Sequence, residues 1–188
     1  MRKPELHHKL SNQEFHSGKN TEMEYENTAF VNCTFTDVSG IRFTECFFDT
    51  CNFSNCRSDS SSFQECEFKG SKLAGMHFEN CSPLLFEVEF EQCILNNSSF
   101  YGMKLKKMRF DHCKLNETDF TKTDLSQAIF NDCDLMNAKF ENSNLNQADF
   151  ASSYNYTVDI NSCNVKKAKF SLQGLPGLLN GYGIEIIQ

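Results

Sequence analysis

The chain has no tryptophan and only three prolines and nine glycines in 188 residues. It lacks any apolar run of about 18 residues, so no segment reads as a membrane span. The first twenty residues scatter Lys3, Glu5, Lys9, Glu14 and Lys19 without an apolar stretch. No secretory leader is read there, and a cytoplasmic setting is expected. Basic excess is also missing: 25 acids face 18 bases, for a net charge of −7. A protein that neutralises phosphates needs a basic face, so a general nucleic-acid-binding role is disfavoured. The sequence contains no G-x-S-x-G, no P-loop and no G-x-G-x-x-G, and no nucleophile–base–orienter set. No enzyme is read from it.

What is abundant is phenylalanine, nineteen residues of it, and its placement is periodic. Every fifth residue from Phe90 to Phe150 is Phe or Leu in unbroken alternation, and the frame continues through Asn155, Ile160, Val165 and Phe170. An earlier block on the same period runs Phe43, Phe48, Phe53, Ser58, Phe63, Phe68, Leu73, Phe78. Two residues before each centre stands a second column of mostly small residues, among them Cys46, Cys51, Cys56, Cys66, Ser71, Cys93, Cys113, Thr123, Cys133 and Cys163. Between residues 21 and 170 no charged residue falls on either column. Two positions in five therefore face inward and three face water.

A period of five fits neither the 3.6 of an α-helix nor the 2 of a long strand. It fits a chain that turns a corner every five residues and closes a square coil in about twenty, with coils stacked at roughly 4.8 Å. Thr118-Asp119-Phe120, Thr123-Asp124-Leu125, Cys133-Asp134-Leu135, Ser143-Asn144-Leu145 and Ala148-Asp149-Phe150 resemble the A-(D/N)-(L/F)-x-x unit of the pentapeptide-repeat family. The resemblance implies an all-β, right-handed quadrilateral β-helix over 21–170, of about seven coils. Residues 1–20 are expected to be an N-terminal cap and 171–188 a helix-plus-strand C-terminal cap. Phe should occupy two opposite faces and Leu the other two. The frame slips twice: Phe35 to Phe43 reads as a three-residue insertion near Val38, and Phe78 to Phe90 as two extra residues around Pro83.

All ten cysteines lie on the small-residue column when Cys33 and Cys81 are assigned to centres Phe35 and Pro83. They read as packing groups rather than as metal ligands or disulfides. The five histidines show no ligand spacing. No cofactor and no metal are expected.

Charge is what remains. Nine acids lie between residues 45 and 91, including Glu87, against Arg57, Lys69 and Lys72. A basic stretch follows, with Lys104, Lys106, Lys107, Arg109, Lys114 and Lys122. Segments 26–35 and 178–187 are similar to the corresponding ends of quinolone-resistance (Qnr-type) members of the family. That similarity implies a dimeric rod that mimics DNA against DNA gyrase or topoisomerase IV and modulates quinolone susceptibility. Slips of three and two residues stand where many such proteins carry long projecting loops. The expected partner surface is Glu45, Asp49, Asp59, Glu65, Glu67, Glu79, Glu89, Glu91, Asp134 and Asp149. The expected homodimer contact is Leu175, Leu178, Leu179, Tyr182, Ile184 and Ile186, since this apolar set exceeds what capping requires. The alternative is a generic scaffold or protein-interaction solenoid with no topoisomerase role.

Overall fold

The computed structural model describes residues 6–16, 22–83, 86–185 and 187. The chain winds as a four-sided β-solenoid. Its first face is a nine-stranded parallel sheet of His8–Ser11, Thr28–Val31, Phe47–Asp49, Cys66–Lys69, Val88–Glu91, Arg109–Asp111, Ile129–Asn131, Asp149–Phe150 and Lys169–Phe170. Nine passes make eight turns, a rod of about 38 Å at the usual strand spacing. The second, third and fourth faces follow in chain order, held by shorter strands and single parallel bridges.

Each coil bonds to the next through the backbone. Lys114 N–H donates to the Cys93 carbonyl at 2.9 Å, and the Lys114 carbonyl accepts from Leu95 N–H at 2.8 Å. The residue two after each centre turns the corner with φ near +50 to +60°: Asn12, Asn32, Glu65, Asn97, Glu117, Asn137 and Gln147 are examples. Asparagine recurs there because its short polar side chain tolerates the left-handed region. The Asp or Asn before the centre supports the same turn. The Asp119 carboxylate accepts from Thr121 N–H at 2.8 Å, and Asp124 accepts from Ser126 N–H at 3.0 Å.

The core is two inward columns per face. Phe110 and Phe130 stack at 5.0 Å between centroids, and Phe100 and Phe120 at 5.3 Å, while Phe110 meets Phe120 edge-on at 78°. From Phe78 upward the aromatic faces are the first and third, and Leu73, Leu95, Leu115, Leu135 and Leu105, Leu125, Leu145 fill the other two, as the alternation required. Lower down, Phe35 and Phe53 make the second wall aromatic and Phe43 and Phe63 the fourth, while Val38 and Ser58 are the centres of the third. Such stacked and edge-on pairs contribute about 0.5–1.5 kcal/mol each beyond their burial.

The small column does more than leave room. Cys93 donates its S–H to the Phe68 carbonyl at 3.2 Å, Cys133 to Phe110 at 3.5 Å, Ser153 to Phe130 at 2.8 Å and Thr123 to Phe100 at 2.8 Å. Thiol and hydroxyl serve alike because each is a small donor aimed at the coil below. All ten cysteines are buried free thiols.

Four features differ from the sequence reading. The first slip is a two-residue deletion, not a three-residue insertion. Val38 is itself a fully buried centre, and Tyr25 pairs with Phe43 only 18 residues on. Residues 8–15, expected within a cap, already pair in parallel with the next coil, and Phe15 stacks on Phe35 at 4.6 Å. Asn155 and Ile160 do not continue the core; Tyr156 and Val158 are buried instead. At the end of the chain the helix forms at Pro176–Leu179 with a 3-10 turn at Asn180–Tyr182, but Gly183, Ile184, Glu185 and Ile187 form no strand. The segment closes over Tyr156, where a side chain at Gly174 would collide with the Tyr156 hydroxyl and one at Gly177 with its carbonyl. The second slip is a two-residue insertion as read: Phe68 pairs with Phe90, 22 residues on. Leu84 and Leu85 lie outside the described residues.

Burial pushes the Cys51, Cys56 and Cys93 thiols up to about 12. Native protein at pH 8 should therefore expose few thiols to a chromogenic disulfide reagent, with full reactivity only after unfolding. Rapid labelling of five or more in the native state would contradict this packing.

Candidate partner interface

Stacking converts sequence charges into ladders along the rod axis. On the first face the outward residue before the centre runs Lys9, Ala29, Phe47, Glu67, Glu89, Arg109, Ile129, Asp149, Lys169. The residue after the centre runs Ser11, Val31, Asp49, Lys69, Glu91, Asp111, Asn131. The corner leading into this face, in the same register, carries Glu45, Glu65, Glu87 and Lys107 on successive coils.

Six of the ten expected partner residues thus gather: Glu45, Asp49, Glu65, Glu67, Glu89 and Glu91, with Glu87 as a seventh that the expected set omitted. They occupy three consecutive coils, and on this face share them with one cation, Lys69, whose ammonium lies 2.7 Å from Glu91. Net charge is about −6 over roughly 14 Å, one charge per about 2.4 Å at strand spacing. Duplex DNA carries one per about 1.7 Å. The other four expected residues lie apart. Asp149 is on the same face three coils higher and is paired with Lys169 at 2.8 Å. Asp59 and Glu79 are on the third face, engaged by Arg57 at 3.4 Å and by His77 at 2.9 Å. Asp134 is on the second face, bridged to Lys114 and Tyr154.

The acidic run ends at a charged cluster. The Asp111 carboxylate accepts from the Asn131 amide at 2.8 Å, from Arg109 at 2.7 Å and from His112 at 2.6 Å, with Asp132 3.5 Å from the other ring nitrogen. These donors, Asn131 foremost, hold the Asp111 carboxyl down at about 2. The basic stretch, by contrast, is no patch. Lys114 falls on the second face and Lys122 on the third, where it donates to the Tyr101 hydroxyl at 2.8 Å. Only Lys104, Lys106, Lys107 and Arg109 stay together, around a cleft beside the Pro83 insertion.

At the C-terminal end, the expected contact residues divide. Leu178 packs partly against the core and Leu179 is half-buried, while Leu175 (41% exposed), Tyr182 (49%) and Ile184 (54%) present apolar surface. Leu172, at 78% exposed, and Ile187, at 90%, extend it. Ile186 lies outside the described residues. Leu172 does not cover the last coil; Tyr156 and Leu178 do so instead.

Among the described residues no three His, Cys, Asp or Glu side chains gather as a metal site, and no helix is long and apolar enough to cross a membrane.

The family model for the pentapeptide repeat region matches residues 41–120 and 105–178. The chain belongs to that family. Among solved structures it is similar to two trypsin-treated variants of QnrB1, a plasmid-mediated fluoroquinolone resistance protein. Both matches have a TM-score of 0.51 and 21% identity; one covers 96% of this chain and 99% of the other, the second 95% and 97%. At that identity the likeness is one of fold. No curated protein matches this pentapeptide-repeat chain closely enough to add to the comparison.

A depressed carboxyl contributes stability that is present above the unfolded value, near 4 for aspartate, and is lost as pH falls through the folded value, about 2 for Asp111. Asp111→Asn should therefore be less stable than the parent at pH 7, and the difference should shrink between about pH 4 and pH 2. Denaturant midpoints across that range check it; a difference that stays constant to pH 2 would contradict the assignment.

Proposed function

We propose that this pentapeptide-repeat protein is a non-enzymatic interaction solenoid that stands in for duplex DNA against a type II topoisomerase, DNA gyrase or topoisomerase IV, and so modulates quinolone susceptibility. The observation that carries the reading is the three-coil acidic run from Glu45 to Glu91. Its charge density approaches that of a duplex, and it rides on a flat parallel sheet whose spacing is set by the backbone. A groove that evolved to hold phosphates presents cations at comparable intervals, and an ordered carboxylate array meets them without the entropic cost of a disordered acidic tail. The fold shared with a fluoroquinolone resistance protein supports the choice of partner.

Purified protein should inhibit gyrase supercoiling at micromolar concentration. The combined variant Glu65→Gln, Glu67→Gln, Glu87→Gln and Glu89→Gln should need about tenfold more, since these charges steer and hold the complex. No inhibition by the parent at tens of micromolar would leave the generic scaffold reading in its place.

The same reading makes the rod a homodimer through its C-terminal end. Leu172, Leu175, Tyr182, Ile184 and Ile187 are exposed together beyond what covers the last coil, and a two-fold contact is the simplest closed arrangement for such a patch. Sedimentation at tens of micromolar should give a dimer for the parent and a monomer for Leu175→Asp with Ile184→Asp. A monomeric parent would overturn the dimer.

A further inference from the structure

The C-terminal segment 172–185 is joined to the solenoid unlike any coil below it. An ordinary coil is tied down on all four faces. On one turn the N–H groups of Lys114, Asp119, Asp124 and Ile129 donate to the carbonyls of Cys93, Ser98, Met103 and Met108, each at 2.9 Å. Among the described residues, two hydrogen bonds join 172–185 to the coils: Val158 N–H to the Gly177 carbonyl at 3.1 Å, and the Asn161 amide to the Tyr182 hydroxyl at 2.9 Å. None of its residues is fully buried, and Leu178 alone packs partly against the core. Its helix, Pro176–Leu179, has no side-chain cap.

What the segment closes over is Tyr156. The ring lies 5.7 Å from that of Phe150 and 5.6 Å from that of Phe170, tilted by 54° and 49°, and the residue is 4% exposed. Its hydroxyl is buried and has no hydrogen-bond partner among the described residues, although a buried phenol normally finds one. The hydroxyl lies against Gly174 and the Tyr156 carbonyl against Gly177, so closely that neither glycine leaves room for a side chain. Closure therefore strips the hydroxyl of water and gives it nothing in return, whereas opening restores its hydration.

We infer that 172–185 is a latch that opens as a unit while the solenoid stays folded, and that its closure over Tyr156 assembles the surface through which two copies associate. Leu175, Tyr182 and Ile184, the exposed apolar residues of that surface, are carried by the segment itself. They are held at the end of the rod only while the segment is closed. A second copy therefore binds the closed form and keeps it shut by mass action. The coupling to association rests on the dimer reading above; the latch itself does not.

Native-state hydrogen exchange of the full chain, read residue by residue, tests the latch. The Val158 amide, whose acceptor is on the segment, should exchange faster than the amides of Lys114 and Asp134, whose acceptors are on the coil below. Tyr156→Phe removes the unpaired hydroxyl and should slow exchange at Val158 about tenfold, with little change at Lys114 and Asp134. Gly174→Ala should abolish the protection of Val158 and, in sedimentation at tens of micromolar, the dimer, while circular dichroism shows the solenoid intact. Raising the concentration of the parent should slow Val158 and leave the other two amides unchanged. Val158 exchanging together with Lys114 and Asp134, faster exchange in Tyr156→Phe, or full protection in Gly174→Ala would overturn the latch. Exchange at Val158 that ignores concentration in a parent that sediments as a dimer would overturn the coupling. A monomeric parent would end the dimer reading and the coupling with it, and the latch would still be decided by Val158 and the two variants.

Discussion

Coil-to-coil backbone pairing is the interaction on which the rest of this molecule depends. It requires the chain to turn sharply every five residues, and the turn places a non-glycine residue in the left-handed region at twenty-one described positions. Each such residue costs about 1 kcal/mol or more in isolation. The cost is offset in place, because the strained corner residue gives its N–H to the next coil, as Asn97 does to the Asn116 carbonyl at 2.9 Å and Glu117 does to Met136 at 2.8 Å. Remove the pairing and the corners have no reason to persist. Remove the corners and the Phe and Leu columns no longer stand above one another.

This constraint makes the surface a readout of the sequence at a twenty-residue stride. Residues adjacent in sequence are sent to different walls, and residues one turn apart become neighbours. Glu45, Glu65 and Glu87 are spread over more than forty residues yet form one edge. Lys104 and Lys114 are close in sequence and face different sides. The acidic array is rigid because its spacing belongs to the backbone, and surface ion pairs such as Lys69–Glu91, both partly exposed, add little to stability. Their effect is on local charge, and hence on which partner the face attracts.

The five-residue period made the solenoid, the inward cysteines and the aromatic faces legible from sequence, since each is a property of one repeat. Features that depend on counting across a slip were harder. Eight residues from Phe35 to Phe43 fit three too many or two too few; the burial of Val38 and the pairing of Tyr25 with Phe43 decide between them. That count also fixes which residues of the lower coils share a wall with the upper ones. Asp59, Glu79 and Asp134, by contrast, stand beside centres Ser58, Phe78 and Leu135, which the five-residue frame alone sets off from the wall of Phe48, Phe68 and Phe90. Phe15 was legible too: Leu10, Phe15, Tyr25, Phe30 and Phe35 keep the five-residue frame, interrupted in sequence only at Asn20. Tyr156 was missed because the core leaves the five-residue frame where the C-terminal segment, through Gly174 and Gly177, packs onto it.

The central claim is that the acidic run occupies the place of DNA on its partner. Equilibrium competition between this protein and a labelled duplex for gyrase, measured across a salt series, tests that most directly. The account predicts mutually exclusive binding, with the affinity of the protein falling as salt rises, since both ligands present ordered anions to the same cations. A ternary complex of gyrase, duplex and this protein with undiminished affinity for each would contradict it.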